Sequence, residues 1–228
     1  MTDKLDFYDI LGIIVPGLLL LLLGPQLFPS ITPYVRYASY PDAFTVIALT
    51  ALAIFAGHLV QALGSLLEPF FNLTWGGRPS ETALAGGLGQ RYLPQDTADR
   101  IKKKLTTCVG PGATDRSLFP YSMQRSEGSG RTSRFNALYA YHRGLLAVWL
   151  ICCIALTSSM IWGGLAASSR GVKGLLMLVA CSLLLLIWYR TKQRALYYVR
   201  EVLLTTERIL DDLDREDQKK NQAQCAKG

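Results

Sequence analysis

Four side chains able to hold a proton or a hydrogen bond, His58, Gln61, Ser65 and Glu68, stand inside an otherwise apolar run, AGHLVQALGSLLEPF at residues 56–70. Their spacings of 3, 4 and 3 put them on one face of a helix. Three kinds of chemistry could use such a stripe: a hydrated cavity or pore lining, an interhelical packing face, or a proton relay. Gly57 and Gly64 beside it allow another backbone to come close. Relay chemistry is the weakest of the three. His58 and Glu68 are ten residues apart, about 15 Å along a helix, so they cannot exchange a proton directly. No third residue offers itself, and the chain is not expected to be an enzyme.

The elements that must position the stripe follow from composition. Half of the 228 residues are hydrophobic, and they gather into four blocks: 10–28, 43–67, 145–167 and 172–189. Each is close to the ~20 residues that cross a bilayer core. The expected fold is therefore an all-α membrane protein with four transmembrane helices, a small cytoplasmic helical lobe and a C-terminal helical extension. A cleaved signal peptide is a poor account of the first block, because MTDKLDFYD before it holds three acids against one Lys. Of the 24 Lys and Arg, 11 lie between the second and third blocks and 9 lie from Arg190 onward. That asymmetry puts the central segment and both termini on the cytoplasmic side. The net charge of +7 then belongs to surfaces facing anionic lipid.

Finer features qualify each helix. Pro16-Gly17 predicts a kink in the first, and Gly24-Pro25 an end or break. The run from Ile10 to Leu23 is 14 residues, about 21 Å and short for a span, so the helix is expected to begin near Asp3 or Asp6, or to bend. Thr157, Ser158 and Ser159 in the third are expected to bond back to their own carbonyls or to a neighbour. Trp149, Trp162 and Trp188 suit interfacial belts. The five cysteines lack metal-ligand spacing and are expected to be reduced thiols; no metal or cofactor is expected.

The expected organisation is an N-terminal pair of transmembrane helices over 1–71, a basic lobe over 72–140 and a second pair over 141–190. A cytoplasmic helix over 191–217 and a disordered tail over 218–228 complete it. In the lobe, Pro94, Gln95 and Asp96 begin a short basic helix, and 110–133 is expected to be loop. GGLG at 86–89, GPG at 110–112 and GSG at 128–130 lack the strand before, the helix after and the Lys-Ser/Thr ending of a phosphate loop. Nucleoside triphosphatase chemistry is excluded on that ground. Two basic groups, Arg100, Lys102, Lys103, Lys104 and Arg131, Arg134, Arg143, are denser than topology requires. The second is interleaved with Phe135, Tyr139 and Tyr141, an arrangement that holds oligonucleotides as well as membrane surfaces. Both groups are candidate ligand-binding residues. Val199, Leu203, Thr206, Leu210 and Leu213 step by 4, 3, 4 and 3, to pack on the lobe or, as narrowly preferred, against other copies.

Three passages, KLDFYDILGIIVPGLLLL, AGHLVQALGSLLE and RFNALYAYHRGLLA, resemble a loose group of small bacterial inner-membrane proteins. Some of these are channel effectors of anti-phage systems, such as the effector of the Hailong defence system. The resemblance covers about a fifth of the chain. It implies a homo-oligomeric pore, held shut or opened by an oligonucleotide made by a partner nucleotidyltransferase; a nucleotide is the broader expectation for the ligand, and a tetramer the working number of copies. It also implies that Asp6, Asp9, Pro16 and Gly17 form the mobile or structural start of helix one. Gly57, His58, Gln61 and Gly64 would be the core of helix two, and Phe135, Tyr139 and Arg143 the juxtamembrane helix.

The functional expectation is a membrane channel or membrane-disrupting effector in the bacterial inner membrane. The alternative is a non-conducting membrane anchor or sensor whose lobe recruits a cytosolic partner enzyme.

Overall fold

The structure, a computed structural model, describes residues 7–27, 43–110, 112–161 and 170–225. Among them are seven helices and no strand: α1 (Phe7–Leu27), α2 (Ala43–Trp75), α3 (Pro79–Gly86), α4 (Gln95–Val109), α5 (Asp115–Ser126), α6 (Gly130–Ile161) and α7 (Arg170–Cys225). Three are long and apolar enough to cross a membrane: α2, α6 and the stretch Gly174–Gln222 of α7. The apolar part of α1, Gly12–Gly24, is shorter. Asp3, Lys4, Asp6 and Trp162, on which expectations from the sequence rest, lie outside the described residues.

The chain forms two compact units. The first comprises the described residues up to Phe70 together with Ala137–Gln193, and the second comprises Phe71–Asn136 with the residues from Arg194 onward.

In the first unit, small residues let three helices meet closely. A Cβ on Gly17 would collide with the Ala53 carbonyl and lie 2.5 Å from Gly57 N, and one on Gly57 would collide with the Ile13 carbonyl. The α1–α2 crossing therefore brings backbone against backbone, which only glycine permits at both positions. Around it, Val60, Ala147, Val148 and Cys152 form a buried cluster against which Leu19, Leu20, Leu23 and Trp149 pack. Thr157 and Ser158 donate to the carbonyls four residues back, Cys153 and Ile154, at 2.7 and 2.9 Å. α1 stays helical through Gly24-Pro25, where an end or break was expected, and finishes at Leu27.

The second unit has its own core. Ala98, Ile101 and Leu105 of α4, Ala83 and Leu84 of α3, Leu93, and Leu118 of α5 enclose Val199, Leu203 and Leu210 of α7. Four of the five stepped positions on α7 thus pack on the lobe, with Thr206 wholly buried and only Leu213 exposed, at 42 %. Self-pairing through that seam is corrected accordingly: the apolar stripe is already covered within the chain.

Two further expectations are overturned. The glycine- and serine-rich stretch 110–133 contains α5 and the start of α6. The buried face of α5 is Leu118, Ser122 and Ser126, and the two serines turn their hydroxyls onto the carbonyls of Leu118 and Met123. They therefore pack as small residues, and no apolar periodicity is visible. Residues 218–225, expected to be disordered, continue α7. Exposed i,i+3 pairs, Arg215 with Asp212 at 3.6 Å and Lys220 with Asp217 at 3.7 Å, lie along this polar stretch.

Leu203 is fully buried at the centre of the lobe core. Leu203→Ala should destabilise the protein by about 2–5 kcal/mol, measured as a lowered denaturation midpoint of the full chain in detergent.

Candidate functional site

The polar stripe on α2 divides in two. At about 100° per residue, Ala53, Gly57, Val60 and Gly64 fall within about 60° of one another and form the buried seam. Gln61 and Glu68 lie at the edge of that seam and are half-buried, whereas His58 and Ser65 lie more than about 100° from its centre and are exposed.

Gln61 is the hub. Its Nε2 donates to the Gly12 carbonyl on α1 at 2.8 Å and to the Ala140 carbonyl on α6 at 3.1 Å. The first acceptor is not arbitrary. In an α-helix the carbonyl of residue 12 accepts from the N–H of residue 16, and residue 16 is proline, which has none. Gln61 thus supplies from a neighbouring helix the donor that Pro16 removes. Gly144 makes room for it, since a Cβ there would lie 2.9 Å from Gln61 Nε2 and 3.2 Å from Pro16 Cγ. The other amide atom, Gln61 Oε1, is buried without a hydrogen-bond partner.

Two turns further along α2, Glu68 accepts from Arg143 Nη1 at 2.8 Å. The guanidinium lies 5.5 Å from the centre of the Tyr139 ring, and Tyr139 is buried. Arg143 is 17 % exposed on its side chain, so this expected ligand-binding residue is committed to joining α6 to α2. Its partner Glu68 is likewise a packing residue.

Ser65 returns its hydroxyl to the Gln61 carbonyl at 3.0 Å. His58 makes no hydrogen bond among the described residues and is exposed near the midpoint of α2.

In the second unit most of the basic candidates are paired. Arg100 Nε donates to Glu207 Oε1 at 2.6 Å, and Lys104 bonds Asp211. Lys102 pairs with Asp115 at 2.8 Å, and Arg131 with Glu201 at 2.8 Å. Glu201 and Glu207 are buried, so Arg131 and Arg100 neutralise carboxylates that burial would otherwise make costly. The pairs Arg100–Glu207 and Lys104–Asp211 both span 107 residues. Each partner advances by four, so α4 and this part of α7 run parallel in fixed register. Lys103 is exposed without an ion pair among the described residues, and Arg134 is exposed on α6. Sequence reasoning saw the cations and missed the acids that meet them. The available signal was the matching four-residue spacing of Glu207 and Asp211.

The ion pairs shift titration in the expected senses. Hydrogen bonding and charge from Glu207 raise Arg100, and the hydrogen bond from Lys104 holds Asp211 below the ordinary carboxylate range. The bound chemistry these residues can support is therefore mostly internal.

The chain matches no protein-family model, no curated protein and no solved structure in comparison with them.

Two outcomes follow for measurement. Gln61→Leu strands the Gly12 carbonyl and should cost about 1–3 kcal/mol, read as a lower thermal midpoint of the protein in detergent. Asp211 is depressed in the folded chain, so its contribution is present above its unfolded value of about 3.9 and is lost as the pH falls through the lower folded value. The midpoint should accordingly drop with acid in that window, and drop less in Asp211→Asn; equal slopes for both proteins would contradict the pairing.

Proposed function

We propose that the chain is a four-span membrane protein that assembles from several copies and conducts ions, as a channel or membrane-disrupting effector in the bacterial inner membrane, with both termini cytoplasmic. The observation that carries this reading is His58. An imidazole exposed on an apolar helix, with no partner among the described residues, is poorly placed against lipid. A second copy or a water-filled axis meets its hydrogen-bonding needs, and exposed Ser65 lies two turns away on the same face.

The rest of α2's outer surface is strongly apolar. Phe44, Ile47, Phe55, Leu66 and Leu73 are each at least 63 % exposed, as suits a helix flanked by lipid or by other copies. The shorter α1, packed on α2 and α6 through Gln61, counts as the fourth span in this reading. Control by a nucleotide or oligonucleotide, supplied by a partner nucleotidyltransferase, is part of the proposal through the resemblance noted above. The paired state of Arg100, Lys102, Lys104, Arg131 and Arg143 argues against an open basic patch as its receptor.

A second reading has its own support. Gln61 and Glu68 are used in helix packing, which suits a non-conducting anchor or sensor that recruits a cytosolic enzyme.

The test is ion flux through the purified protein in liposomes under a set membrane potential. Flux that His58→Ala alters severalfold, while the protein stays folded, supports the channel. Absence of flux under every condition moves the assignment to the anchor.

A further inference from the structure

The GSG run at 128–130 is followed directly by a helix, contrary to the expectation from sequence, because α6 begins at Gly130. Gly128 turns the chain with φ +89°, a left-handed conformation that favours glycine. Ser129 N donates to the Ser126 carbonyl and Ser133 N to the Ser129 carbonyl, both at 3.1 Å. The N–H groups between them, on Gly130, Arg131 and Thr132, are the unpartnered donors with which an α-helix begins, at the positive end of its dipole.

A cavity of 340 Å³ opens at this turn, lined by Ser126, Glu127, Ser129, Thr132, Ser133 and Asn136 among others. One of those residues is anomalous. Thr132 is 8 % exposed, yet its Oγ1 has no hydrogen-bond partner. The buried helical hydroxyls of Ser122, Thr191 and Thr206 reach the carbonyl four residues back, an acceptor that Thr132, third residue of α6, does not have within its own helix. A hydroxyl buried without such a bond is unfavourable unless something else meets it.

We propose that this pocket at the start of α6 binds the phosphate group of a small phosphorylated molecule. The free helix N–H groups, the Thr132 hydroxyl and the hydroxyls of Ser129 and Ser133 supply converging donors for an anion. Glu127, also on the wall, sets the rest of the ligand. Its carboxylate repels a molecule that is anionic throughout and accepts from hydroxyl or amino groups, and the Asn136 and Gln124 amides add both donors and acceptors. The ligand class is therefore a phosphate monoester whose other end carries hydrogen-bond donors. The volume is at the lower end of the roughly 300–1,000 Å³ typical of small-molecule sites. A soluble nucleotide and a phosphoinositide headgroup share this chemistry.

The site does not depend on ion conduction, and its test reads binding alone. Isothermal titration calorimetry of the full chain in detergent would use inorganic phosphate, adenosine 5′-monophosphate and a short-chain phosphatidylinositol phosphate. Thr132→Val keeps the shape of the side chain and deletes its hydroxyl. It should weaken binding at least about tenfold without lowering the thermal midpoint, because the hydroxyl makes no internal bond. Ser133→Ala, at an exposed position, provides the same test should Thr132→Val misfold. Heat from the nucleotide alone assigns a soluble ligand, and heat from the phosphoinositide alone assigns a lipid headgroup. No heat from any of the three, or binding that neither variant weakens, would overturn the proposal.

Discussion

One side-chain amide holds the first unit to its geometry. Pro16 deprives the Gly12 carbonyl of its own helical donor, and inside an apolar assembly that carbonyl must find another. Gln61 provides it and reaches α6 with its second N–H. The glycines follow from this demand. Gln61 reaches both carbonyls only where the helices are close, and Gly17, Gly57 and Gly144 are the positions at which a Cβ would force them apart.

The second unit solves a different problem with charge. Its core is small, and two carboxylates of α7, Glu201 and Glu207, sit at its edge with little access to water. Cations from α4 and α6 cover them, so the positive charge of the lobe is spent partly on its own interior. What looks in one dimension like a surface for polyanions is in three dimensions a set of locks between helices. Thr206 adds a neutral lock, donating to the Ser122 carbonyl at 2.9 Å as well as to its own helix.

Periodicity made some of this legible and hid the rest. The stripe on α2 was visible because 3, 4 and 3 steps fit a helix, but a one-face description was too coarse. The difference of some 60° between His58 and Gln61 decides which is exposed and which is a hub. The entry of proline into α1 was visible as a defect; its remedy lay 45 residues away, from Pro16 to Gln61, and no local pattern links them. α4 was legible as a short basic helix entered at Pro94, Gln95 and Asp96, and Ala98, Ile101 and Leu105 keep the helical period on its buried face. α5 was not, because serines that satisfy their own hydroxyls can occupy core positions without looking apolar. Nothing in the stepped pattern of α7 marks Glu201 and Glu207, which stand between its apolar positions, as buried.

The bond between Gln61 and Gly12 also ties two distant positions of the gene together. An amide at residue 61 has value in proportion to the proline at residue 16, since any other amino acid there would return an N–H to the Gly12 carbonyl. Substitution at 16 relaxes the constraint on 61, whereas substitution at 61 with the proline retained leaves a polar defect at the junction. Among descendants of this chain the two sites are therefore bound to change in a preferred order, proline first.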